Sequence, residues 1–164
     1  MTPSDPPQSL ATQNPVEASE AWPAHTVITE DDVIIAAVSL VRLAEICGTP
    51  CVHNDEAHPA HPHSEPSKGE LASVVVAEVQ SAEWRSDLRL HVTINADLSG
   101  CSTDLTETRL IGRRSGAYRA SVVLECATPG AFGFATDLPA DVSRGDLIVV
   151  PCQGISLLHT VKTS

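Results

Sequence analysis

Residues 87–95 read DLRLHVTIN. Leu88, Leu90, Val92 and Ile94 alternate with Arg89, His91, Thr93 and Asn95. Successive side chains of an extended chain point to opposite faces, so this stretch is a strand with one apolar and one wet face. Its neighbours keep the same grammar. LASVVVAEV at 71–79 is a strand, and DLTETRLI and AYRASVVLE flank GRRSG at 112–116, which reads as a hairpin turn. GAFGFATDL, DLIVV and ISLLHTV follow, separated by TPG, PADVSRG and PCQG. About seven short strands at this spacing predict a mainly β fold over 70–164, an antiparallel, immunoglobulin-like β-sandwich.

Upstream the grammar differs. TEDDVIIAAVSLVRLAEICG at 29–48 predicts one N-terminal helix over 29–46. Thr29 stands at the N-cap with Asp32 three positions on, and Gly48 and Pro50 supply a stop. The β-branched run Val33-Ile34-Ile35 leaves a strand as the competing reading. Residues 1–25 are rich in Pro, Ser, Thr and acid and read as a disordered arm, with Trp22 packed loosely, exposed, or anchoring a partner. Residues 26–69 are then the helix plus a Pro- and His-rich linker.

Composition narrows the partners. Ten basic residues against 21 acidic ones give a net charge of −11. Phosphate backbones and anionic membranes repel such a chain, so neither nucleic acid nor membrane is expected as a partner. No stretch approaches the roughly 20 apolar residues of a membrane span. The first twenty residues hold no Lys or Arg and no apolar run, unlike a secretory signal. Five cysteines cannot all pair internally, and reduced thiols in the cytoplasm are the simplest expectation.

The densest chemistry is CGTPCVHNDEAHPAHPH at 47–63. Cys47, Cys51, His53, His58, His61 and His63 are soft ligands that zinc, nickel or copper accepts. Structural zinc sites, however, use two ligand pairs at separated positions, and Pro59 and Pro62 hold their neighbours extended. A solvated linker without metal is the expectation, and a small metal-binding protein the alternative. Cys101, Cys126 and Cys152 read as small buried hydrophobes with no local base, and His91 and His159 sit on strands with no pattern joining them to a nucleophile. Arg113 and Arg114 at a turn are solvated charges or a grip for an anion. Asp97 and Asp104 do not have EF-hand spacing. No P-loop and no dinucleotide fingerprint is present, so no catalytic residue and no cofactor is assigned.

The stretch 91–139 resembles the C-terminal β-rich region of bacterial α-glucan (glycogen) phosphorylases. The shared pieces are Asp97-Leu98-Ser99-Gly100, Tyr118 through Leu124, and the Gly-aromatic-Gly-aromatic unit running from Gly130 to Pro139. The resemblance implies a β-sandwich in a carbohydrate-related setting. It implies no catalytic residue, because only Lys68 and Lys162 are present and neither matches the family's cofactor lysine. The expected function is a non-enzymatic binding or interaction module with a protein partner or a second copy of itself. A carbohydrate-associated accessory domain is a further alternative.

Overall fold

The computed structural model describes residues 19–57, 71–126 and 133–162. Eleven strands and two short helices lie among them. The spine is β5, Leu71–Trp84, a strand of 14 residues. Its first half pairs antiparallel with β4 (Cys51–Glu56) on one edge and β11 (Leu147–Gln153) on the other. A register break between Val79 and Ser81 ends that arrangement, and the second half pairs with β6, Leu90–Ile94. A bulge of this kind bends a strand and increases its twist, which lets one strand serve two sheet directions. Beyond β6 come β9 (Arg119–Cys126) and β10 (Phe134–Pro139). Beyond β11 come β7 (Ser102–Thr103) and β8 (Arg109–Ile111). A 3-10 turn at Leu105–Glu107 meets β10, where Thr136 Oγ1 donates to the Leu105 carbonyl at 2.6 Å, so the sheet curls into a half-barrel.

The mainly β expectation holds, but the pairing is not that of an antiparallel immunoglobulin-like sandwich. β6 and β9 run parallel, with Val92 opposite Leu124. GRRSG is not a hairpin turn: β8 pairs with β11, and β9 pairs with β6 and β10. Side-chain alternation sets which face is buried but not which edge a strand joins. ISLLHTV does not form a strand either; Leu158–Val161 is a helical turn, α2.

Two cores explain β5. Val75, Ala77 and Val79 face an inner core with Val92, Ile94, Leu124, Leu138 and Ile148. Val74 and Val76 face an outer core with Trp22, Val33, Ile35, Leu40 and Ile111. A strand covered on both faces reads as a continuous apolar run, as SVVVA does. In β6, Leu90, Val92 and Ile94 are buried as their period requires. Leu88 is not: it sits outside the strand in a turn, left-handed at φ 62° and exposed.

The outer core is closed by the segment expected as a single helix over 29–46. It forms β1 (Thr26–Ile28), β2 (Val33–Ile35) and β3 (Val38–Ser39), and only Leu40–Cys47 is helical, as α1. The β-branched run Val33–Ile35 becomes the middle strand, paired with β1 and β3. Ala36 and Ala37, at φ 49° and 68°, make the two-residue turn between β2 and β3 that such hairpins favour. Thr29 Oγ1 still accepts the Asp32 amide at 3.0 Å, but in the β1–β2 turn rather than a helix cap. The helix is capped by Ser39, whose Oγ accepts the Arg42 amide at 3.2 Å. Asp32 holds the cap in place: its carboxylate accepts from the Val33 and Val41 amides and from the Ser39 hydroxyl. Gly48 ends the helix as expected, left-handed and donating to the Ala44 carbonyl at 2.8 Å.

Two further expectations change. Trp22 is fully buried, and its indole N–H donates to Glu107 at 3.1 Å. An aromatic ring with one polar handle is suited to this position, since the ring fills the outer core while the N–H finds a carboxylate. Cys51–Glu56, expected as linker, is strand β4. The interval between Pro50 and Pro59 is proline-free, so its amides are available to pair with β5. Residues 1–18 of the expected arm and 58–69 of the expected linker lie outside the described residues.

Candidate functional site

The first candidate is a polar cleft of about 150 Å³ between the cap and the half-barrel, lined by Glu30, Arg109, Leu110, Arg113, Ser115, Arg119 and Pro139. Three elements deliver its three arginines. Arg109 opens β8, Arg119 opens β9, and Arg113 follows the left-handed Gly112 that turns the chain after β8. Arg113 is saturated with carboxylates. Its Nε and one terminal nitrogen hold Asp146 at 2.9 and 2.7 Å, and its other terminal nitrogen reaches Asp141 at 3.2 Å. Ser115 donates to the same Asp141 at 2.6 Å. The Asp146 and Asp141 hydrogen bonds hold the guanidinium above its ordinary pKa. This two-pronged grip fastens the 112–116 segment to the β10–β11 connection, which is why GRRSG crosses rather than turns back.

Arg109 is the opposite case. It is half-buried, and among the described residues its side chain has no hydrogen bond and no ion pair. Burial pulls its guanidinium pKa below the ordinary value, and the neighbouring Arg119 adds to that, against the pull of Glu107. Arg119 donates to the Asp137 carbonyl at 2.8 Å and likewise has no carboxylate partner among the described residues. An arginine stays charged, so desolvation beside a like charge is a cost that a bound anion would relieve.

The second candidate is a thiol pocket at one end of the inner core. Cys152 of β11 lies directly opposite Ser73 of β5 and Thr103 of β7. Cys101, just upstream of β7, packs against this core. The Cys152 thiol donates to the Val150 carbonyl at 3.8 Å. The influence of Cys152 holds the Cys101 pKa below its ordinary value, while that of Cys101, together with burial, pushes the Cys152 pKa up. Ser156 contributes to both, and its hydroxyl bonds that of Ser73 at 2.8 Å. Asn54 pins the Ser156 backbone by two hydrogen bonds, of 3.3 and 3.2 Å. Burial raises the nearby Cys126, which stays a neutral thiol.

A third cluster lies on the outer face of β6 and β9. His91 Nδ1 meets Glu125 at 2.9 Å and its Nε2 meets Asp87 at 2.9 Å, while Arg85 bridges to Glu125 at 3.2 Å. Glu125 and Asp87 raise the imidazole pKa, outweighing the effects of burial and Arg85. His91, expected on the wet face, is thus on that face but covered by its partners.

The Cys/His segment divides. Cys47 is exposed at the end of α1, and Cys51 is buried in β4 with its pKa pushed up to about 11 by burial and by Cys47. His53 Nε2 and Asp55 Oδ2 are buried without a hydrogen-bond partner among the described residues. His58, His61 and His63 lie outside those residues. Among the described residues no group of three or more His, Cys, Asp or Glu is placed to hold a metal ion. Of the sites considered from sequence, Arg113 and Arg114 lie at or near the cleft, with Arg114 bound to Glu30 at 3.1 Å. Arg109 and Arg119 carried no signal, since each reads as an ordinary wet-face residue of a strand. That Cys101 and Cys152, 51 positions apart, share one core was equally hidden.

No protein-family model and no curated protein matches the chain. Two solved structures show a partial likeness, both of the Paramecium bursaria Chlorella virus arginine decarboxylase. The form bound to agmatine is 16% identical over 56% of this chain and 29% of that one, with a TM-score of 0.39. The other crystal structure of that enzyme is 15% identical over 56% and 28%, with a TM-score of 0.39. The chain thus spans under a third of the length of that enzyme, and likeness at this level bears on neither fold nor activity. Among the described residues no helix is long and apolar enough to cross a membrane.

Proposed function

We propose that the chain is a non-enzymatic binding module, working in the cytoplasm, that takes an acidic group of a protein partner into the arginine cleft. A second copy of the chain, itself strongly acidic, is a partner of the same chemistry. The observation that supports this reading is the half-buried Arg109, beside Arg119 and without a carboxylate in ion-pair contact among the described residues. The cleft's volume of about 150 Å³ suits one oxyanion group, whereas drug-sized ligands occupy roughly 300–1,000 Å³. The saturated Arg113 beneath it holds the wall rigid, so the loss of ordering entropy on binding is small.

The test is fluorescence anisotropy of a labelled hexaglutamate peptide at low salt, with hexalysine as control and inorganic phosphate as competitor. A hydrogen-bonded contact to a charged group is worth about 1.5–3 kcal/mol, so Arg109→Ala weakens binding by roughly tenfold or more. Equal binding by wild type and variant, or no binding by either, overturns the reading. Exposed Trp84 and Tyr118 favour a carbohydrate-associated role as the second reading, in keeping with the α-glucan phosphorylase resemblance. Because Trp22 is buried, quenching by a malto-oligosaccharide would report on Trp84, and an unchanged spectrum removes that reading.

A further inference from the structure

We propose that the acidic group taken by the arginine cleft is a phosphomonoester on a side chain of the partner protein, held between Arg109 and Arg119. The inference rests on the reading of the cleft as a site for an acidic group and narrows that group to one chemical class. Its ground is the number and direction of the open donors. Arg109 stands on β8 opposite Val149, and Arg119 on β9 opposite Pro139. The two side chains therefore rise from paired strands and line one cleft of about 150 Å³ from different elements. Arg109 makes no side-chain hydrogen bond and no ion pair among the described residues. Arg119 gives one terminal nitrogen to the Asp137 carbonyl at 2.8 Å. A guanidinium carries five N–H donors in a flat fork, so nearly two whole forks are open.

The carboxylates around the cleft are engaged elsewhere. Asp141 and Asp146 hold Arg113 at 2.7 to 3.2 Å. Glu30 is bound by Arg114 at 3.1 Å, and both are exposed. Glu107 accepts the Trp22 indole N–H at 3.1 Å and acts on Arg109 through its charge, without an ion pair. No histidine lines the cleft among the described residues.

The shape of the anion follows from this arrangement. A planar carboxylate has two oxygens and meets one fork edge to edge. A phosphomonoester has three terminal oxygens about a tetrahedral phosphorus, so forks arriving from two strands can bind different oxygens. It also brings about −1.5 to −2 charges at pH 7 against the two arginines. Arg109 is the more buried of the pair, and its desolvation beside Arg119 is offset more fully by a dianion than by a monoanion. Leu110 and Pro139 add carbon to the wall, which suits the stem of the ester.

The test measures binding of three labelled peptides to the full chain by fluorescence anisotropy at low salt. The peptides are alike except that the central residue is phosphoserine, glutamate or serine. The phosphoserine peptide is expected to bind about tenfold more tightly than the glutamate peptide, and the serine peptide to show no binding. Lowering the pH from about 7.5 to about 5.5, through the second phosphate ionisation near 6, should weaken the phosphoserine peptide several-fold and leave the glutamate peptide nearly unchanged. Arg109→Lys and Arg119→Lys keep each charge and lose each fork, and each is expected to weaken the phosphoserine peptide by about tenfold with little change in melting temperature. Equal affinity for the phosphoserine and glutamate peptides overturns the phosphate assignment and leaves the acidic-group reading standing. No binding by any peptide overturns both. Lysine variants that fold and bind like wild type overturn the placement at Arg109 and Arg119. Inorganic phosphate as competitor separates the sources: displacement at concentrations no higher than the phosphopeptide's own Kd would mean a free phosphate ligand and overturn a group carried on a protein.

Discussion

The outer face of the sheet is treated in two ways. Behind β5 and β11 it is sealed: Val74, Val76 and Val149 meet Trp22, Ile35 and Leu40 of the N-terminal cap. Behind β6 and β9 it is open: Ser121 is exposed, and His91 and Glu125 are shielded only by Arg85 and Asp87. The inner faces of both regions are equally apolar. What differs is whether another piece of chain comes to cover the outside. The strands record that difference, Val74 through Ala77 being apolar without a break while RASVVLEC keeps Arg119, Ser121 and Glu125 on its outer side. The two regions thus rest on different physics, hydrophobic burial in one and charge pairing at a surface in the other.

Placing the same charge in both is the strongest way to break the contrast. Val76→Lys puts an ammonium into the sealed outer core, where desolvation without a partner costs more than about 4 kcal/mol, and the protein is expected to unfold. Ser121→Lys on the open face is expected to shift stability by under about 0.5 kcal/mol. Chemical denaturation of the two variants checks this, and comparable losses would show that the cap does not seal β5.

Trp22 gives the next largest effect. Truncating a fully buried Trp costs about 3–5 kcal/mol, so Trp22→Ala is expected to lower the melting temperature strongly. Trp84, half exposed at the end of β5, is expected to lose under about 1 kcal/mol on the same change. Composition alone would have grouped Trp22 with an arm that contributes nothing. A Trp22→Ala variant as stable as wild type would restore that view.

The open face should show a small, pH-dependent term. The folded-state pKa of His91 is raised by Glu125 and Asp87. The stabilisation is therefore complete below the unfolded value of about 6.5 and is lost as pH rises through the folded pKa. Asp87 is shifted the other way and stays ionised over this range, so it adds no slope above pH 6. His91→Asn is expected to widen the gap in melting temperature from wild type at pH 6 and narrow it at pH 9. A gap independent of pH would mean that the imidazole is held by packing alone.

Local pattern and tertiary contact contributed differently to what can be read here. The alternation of Leu90, Val92 and Ile94 settled a buried strand face, because the period of two is a property of the extended backbone itself. Gly48 settled the end of α1 for a similar reason, since a left-handed stop suits a residue without Cβ. The mainly β class follows from many such segments. The residues between 29 and 39 were undecided: caps favoured a helix, β-branching favoured strands, and the outer face of β5 tipped the balance by offering apolar cover to a small sheet. Pairing was beyond local reach. Nothing in AYRASVVLE says that it lies parallel to LHVTI, because alternation determines faces and not neighbours. The sites were hidden for the same reason. Arg109 becomes unusual only when Arg119 is brought beside it and the carboxylates go to Arg113, and Cys101 meets the inner core only when β7 docks on β11. Backbone geometry is written residue by residue, whereas burial, charge partners and thiol contacts belong to the neighbours that folding supplies.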